Sequence, residues 1–164
     1  TQYKFPANQT HTAARINSNW EDIDARLNAL ESASTAHNHN VVEHVAWYRS
    51  GALVTGDMGA HPKVRGAGRM IAVGANVQTV SSSGAITIDI LKSVDNGATW
   101  TTIFTTQITI DVSERTDTTA LVPAVIAGAT FADSDLFKVN VVGAGTGATD
   151  LTVSLELSRS VGVA

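Results

Sequence analysis

Near the end of the chain Leu151, Val153, Leu155 and Leu157 alternate without a break with Thr152, Ser154, Glu156 and Ser158. A side-chain period of two places the aliphatic set on one face of an extended strand and the polar set on the other. Such a strand needs a second layer against its apolar face. The pattern recurs upstream. Ile86, Ile88 and Ile90 alternate with Thr87 and Asp89, and Phe137, Val139 and Val141 alternate with Lys138 and Asn140. The runs "RMIAVGANVQTV" and "TWTTIFTTQITI" are also rich in strand-forming residues.

Between these runs stand turn signals rather than helices. Asp95-Asn96-Gly97 is the strongest hairpin mark, with Ser81-Ser82-Ser83-Gly84 and Gly143-Ala144-Gly145-Thr146-Gly147 beside it. Seven or eight short strands with no intervening helix predict a mainly β protein, an antiparallel β-sandwich or jelly roll, over residues 45–160. A hydrophobic fraction of 43% in 164 residues is enough for one packed core.

The first 44 residues follow other rules. Ile16, Trp20, Ile23, Leu27 and Leu30 are spaced four, three, four and three apart, the seam of a short coiled coil. Residues 12–34 are therefore expected to form a helix about 33 Å long at roughly 1.5 Å per residue. Its narrow stripe has to be buried, either against copies of itself or against the following domain. Two to three heptads are too few to hold a coiled coil alone. Residues 1–11 show no period and are expected to form an extended docking arm, with Tyr3 and Phe5 as anchors for a partner surface. Residues 35–44 are expected to be a linker.

Several function classes are poorly supported. Net charge is −4 and no basic cluster occurs, which speaks against a nucleic-acid partner held through phosphates. No apolar run approaches the roughly 18–20 residues of a spanning helix, and no signal-like region opens the sequence, so no membrane partner is expected. Cysteine is absent, which removes disulfides and thiolate chemistry. Gly143-Ala144-Gly145 follows a strand as a dinucleotide loop would, but the next segment has strand rather than helix periodicity. Asp57, Asp95, Asp117, Asp133 and Asp135 sit beside turn residues and are expected to cap them. No nucleophile elbow or carboxylate pair suggests catalysis. No enzyme and no cofactor is expected.

Histidine supplies the remaining candidate site. Of the five histidines, His37, His39 and His44 fall within "HNHNVVEH". Residues i and i+2 of an extended chain point the same way. His37 and His39 from each of three copies could therefore face a symmetry axis, an octahedral imidazole set suited to a first-row transition metal. The alternative is a solvated connector whose histidines bond water or backbone.

The stretches "YRSGALVTGDMGAHPKVR", "GRMIAVGANVQTVSSSGAITIDILKSVDNGATWTTIFTTQITID" and "GATDLTVSLELSR" resemble a β-sandwich domain of tail and fibre proteins of tailed bacteriophages. "RINSNWEDIDARLNALE" is similar to the short helix that follows the anchoring arm in such proteins, and His-x-His pairs on trimer axes are a device of the same fibres. The resemblance implies a virion protein made in the host cytoplasm: a homotrimeric tail fibre, head fibre or decoration component, attached to other virion proteins by its N-terminus. It carries over no catalytic residue. A host surface glycan is the alternative partner, with Trp100 either a sugar platform or a core or interface packing residue.

Overall fold

The computed structural model describes residues 21–29 and 39–161, and side chains over 21–29 and 40–159. Residues 21–29 are helical, as the seam predicts. The chain divides into two units, the larger comprising Asn40–Ser160. The larger unit is a mainly β domain built from antiparallel sheets.

Its longest strands are β1 (His39–Ala52), β3 (Gly68–Thr79), β4 (Ile86–Ser93), β10 (Leu136–Ala144) and β11 (Thr149–Val161). Shorter ones complete the sheets: β2 (Gly56–Asp57), β5 (Thr101–Thr102), β6 (Phe104–Thr106), β7 (Ile108–Ile110), β8 (Val125–Ile126) and β9 (Thr130–Phe131). One sheet runs β1-β11-β3-β9. The other runs β2-β10-β4-β5, with β7 also paired to β4, and β6 pairs β8 apart from both.

Four pairings nest inside one another. β4 meets β7, β3 meets β9, β2 meets β10 and β1 meets β11. They lie along the chain like the rungs of one long hairpin whose tip falls between β4 and β7. Two further contacts, β10 with β4 and β11 with β3, roll that ribbon into two sheets.

The alternating residues do as their period requires. Ile86, Ile88, Ile90, Phe137, Val139, Leu151, Val153, Leu155 and Leu157 are all fully buried and belong to one core. Trp47 joins them from β1, its indole N–H donating to the Ala60 carbonyl at 2.9 Å. Burying an indole removes a large apolar surface from water, and the hydrogen bond offsets the cost of burying its one polar atom.

Residues 35–44 differ from the expected linker, because β1 already begins at His39. His, Asn and Glu are weak strand formers, which is why "HNVVEH" reads as a connector. Pairing overrides that preference. β11 extends to Val161 and the early residues of β1 lie beside it, with the Arg159 guanidinium against the Glu43 carboxylate and His44 Nδ1 3.7 Å from Glu156 Oε1.

Two loops at one end of the sandwich are locked by a buried hydroxyl. Ser81 Oγ donates to the Ser83 and Gly84 carbonyls (2.8 and 2.7 Å) and accepts from the Thr146 N–H at 3.0 Å. Gly145 has φ +64°, and a Cβ built there would lie 2.5 Å from Ser81 Oγ. Only glycine fits. The glycine-rich "GAGTG" stretch thus serves a hairpin joining β10 to β11.

Candidate functional site

Trp100 lies between the Asp95-Asn96-Gly97 turn and β5, half-buried and outside the core. Asn96 and Gly97 take φ of 57° and 89°, the left-handed pair that turns β4 back toward β5. Asp95 holds the turn. It accepts from the Thr99 hydroxyl (2.6 Å), the Thr99 N–H (2.9 Å) and the Ser93 hydroxyl (2.7 Å). Those donors pull its pKa from 3.8 to about 2.

The indole of Trp100 is not a bare platform. Lys138 Nζ sits 4.5 Å from its ring centroid, and the His61 ring lies 5.2 Å away, tilted by 57°. An ammonium at that distance is held by the negative face of the ring. Asp57 completes the group. Its Oδ2 lies 2.9 Å from His61 Nε2 and 3.4 Å from Lys138 Nζ, and its Oδ1 accepts from the Gly59 N–H at 2.7 Å. Partial desolvation alone would raise the Asp57 pKa. The Gly59 N–H, His61 and Lys138 outweigh it and hold the carboxyl below its usual range. The group ties β2 and the following loop to β10 and to the β4–β5 turn.

A second surface lies on the outer face of the β1-β11-β3 sheet. Tyr48 stands 63% exposed beside the buried Trp47, as alternation along β1 demands. Its hydroxyl donates to Asp150 Oδ1 at 3.3 Å. The Gly51 N–H and the Thr149 hydroxyl also donate to the Asp150 carboxylate, and together these bonds lower its pKa. Asn76, Gln78, Arg115 and Thr152 complete an open groove of about 440 Å³ with Tyr48 and Asp150 among its walls. Aromatic, amide, hydroxyl and charged groups converge there, a set able to bind a polyhydroxylated ligand.

Of the other turn carboxylates only Asp135 caps its own turn as expected, whereas Asp133 and Asp117 accept from backbone of distant segments. The Gly66 N–H donates to Asp133 Oδ1 at 2.8 Å, the Ala132 N–H to Asp135 Oδ2 at 2.9 Å and the Ala75 N–H to Asp117 Oδ1 at 3.0 Å. Among the described residues no three His, Asp or Glu side chains gather into a metal-binding set.

No family model, curated protein or solved structure matches the chain. What the surfaces can do therefore rests on their own geometry. Ile23 and Leu27 lie within the described helix, 43% and 52% exposed in the single chain and four residues apart on one face. The other seam positions, Ile16, Trp20 and Leu30, lie outside the described residues, as do the docking residues Tyr3 and Phe5 and the side chains of His37 and His39. The Lys138–His61–Asp57 setting of Trp100 and the Tyr48 groove were not legible in the sequence. Each joins segments far apart along the chain. Only Tyr48, polar-tipped and out of phase with Trp47, carried a local hint.

Proposed function

We propose that the protein is a non-enzymatic structural component of a tailed-phage virion, a short trimeric fibre or decoration protein. In this reading the N-terminal arm attaches it to other virion proteins, the helix joins three copies, and the β domain projects as a head. The observation that carries it is the pair Ile23 and Leu27, the large apolar side chains exposed on the described helix, whose spacing in the sequence continues to Ile16, Trp20 and Leu30. A stripe of that width matches a coiled-coil seam. The order of the β domain supports the same reading. A ribbon of nested pairs rolled into two sheets is the winding of a jelly roll, an architecture used in capsid proteins.

Light scattering on the purified protein tests the assembly, and immunogold labelling of intact particles tests its place. The expected results are a mass of three chains and gold on the virion. A monomer would remove the helical bundle, and unlabelled particles the virion role.

The Tyr48 groove favours a second reading, attachment to a host surface glycan. A glycan array probed with the wild type and with Tyr48→Ala and Trp100→Ala variants separates the two candidate platforms. Binding lost only in Tyr48→Ala assigns the groove, and binding lost only in Trp100→Ala assigns the indole. No binding by the wild type removes the glycan reading.

A further inference from the structure

Among the described residues, the outer edge of β3 has partners at both ends and none in the middle. At its start Gly68 and Arg69 pair with β9, and the Met70 N–H donates to the Ala129 carbonyl at 2.6 Å. At its end the Val77 N–H donates to the Arg115 carbonyl at 2.8 Å, and the Ala75 N–H to Asp117 Oδ1 at 3.0 Å. Among the described residues no hydrogen bond reaches residues 71–74 from that side. Alternate residues of a strand turn N–H and C=O to the same edge. Ala75 and Val77 turn theirs outward, so Val73 does too. Ile71 is passed over in the register with β11, where Ala72 faces Glu156 and Met70 faces Leu157. That bulge returns Met70 to the β9 side.

The bare stretch opens on a cleft of about 690 Å³, walled on its far side by Pro123, Val125 and Ile126. Its rim is apolar. Ile71 (48% exposed) and Val125 (49%) line it, and Leu121 (88%) and Val122 (57%) lead into Pro123. An unpaired strand edge beside exposed aliphatic side chains is the usual receptor for an added strand, which contributes backbone hydrogen bonds and side chains at alternate positions.

We propose that the cleft receives an extended strand, and that the strand is residues 2–5 of a neighbouring copy; this rests on the oligomeric reading above. Tyr3 and Phe5 are two residues apart, so in a strand both face one way, toward the aliphatic side chains of the cleft such as Ile71 and Val125, while Gln2 and Lys4 face out. Pro6 follows at once and, having no N–H, ends the pairing. Four residues of strand span about 13 Å, the length of edge left bare over residues 71–74. The seam that brings copies together lies on the same chain as the arm, so one assembly supplies both donor and receptor.

The test uses the full chain with a photo-crosslinking phenylalanine analogue at position 5. Isotopically light and heavy protein are mixed through a denaturation–refolding cycle, and light scattering is run on the same sample. The expected adducts join position 5 to peptides containing Ile71 or Val125, with light–heavy pairs present. Leu121→Asp, a change at an exposed rim position, should cut their yield several-fold without changing the mass of the assembly. In the unlabelled protein, Tyr3→Ala/Phe5→Ala should speed hydrogen exchange of the Val73 amide about tenfold. Adducts outside the cleft, adducts only within one isotope, or Val73 exchange unchanged by the double substitution would each overturn the proposal. An intact oligomer with any of these results defeats the strand donation alone, whereas a monomer defeats the oligomeric reading with it.

Discussion

At the scale of single residues, the turn at Asp95 makes the clearest statement about pH. Its carboxylate is held at about 2, below the 3.8 of an unperturbed aspartate, by the Thr99 hydroxyl and N–H and the Ser93 hydroxyl. A folded-state pKa below the unfolded one contributes stability that is fully present above the unfolded value and lost as pH falls toward the folded one. Asp95→Asn should therefore lower the melting temperature at neutral pH, and the difference from wild type should shrink between pH 4 and pH 2. Thermal melts across that range check it; a constant difference would show that the charge plays no part. Gly145 is a steric case. Alanine there meets both a left-handed backbone (φ +64°) and the Ser81 hydroxyl. Gly145→Ala should cost about 2–4 kcal/mol, read by chemical denaturation. Trp47→Ala, which empties a core position and strands the Ala60 carbonyl, should cost about 3–5 kcal/mol in the same assay.

At the scale of elements, legibility followed period. β4, β10 and β11 were readable because each has one buried and one polar face, and their inward residues are the ones the alternation picks out. The described helix was readable from a different period, the four-and-three spacing that includes Ile23 and Leu27, although its side chains are exposed in the single chain. β2, β8 and β9 were not. Each has two residues, too few for any period, and exists because a longer strand lies beside it. β1 lies between these cases: its first residues read as linker, and the burial of its Trp47 became visible only in the structure. The helix stripe carries its own prediction. Ile23→Asp and Leu27→Asp each place a charge in the seam and should convert the oligomer to monomers by light scattering, leaving the far-ultraviolet spectrum of the β domain unchanged. An unchanged mass in both variants would move the contact surface elsewhere.

At the scale of the whole molecule, the question is what copies do together. In a three-fold assembly His37 and His39 could present imidazoles to the axis, and elemental analysis addresses this directly. If the proposed trimer binds metal on its axis, its metal content should fall in His37→Ala, whereas equal content in the two would assign the histidines to solvent or backbone. The sequence by itself determined the class of fold, the inward residues of its main strands and the helix over residues 21–29. All three depend on side-chain periods that local backbone geometry imposes. Only the tertiary structure decided how the strands nest, that Trp100 lies under Lys138 and beside His61, that Tyr48 borders a polar groove, and that the middle of β3's outer edge has no partner among the described residues. The physical reason is distance along the chain. Each of these features joins residues tens of positions apart, and which of them meet is settled by how the sheets roll and close the core.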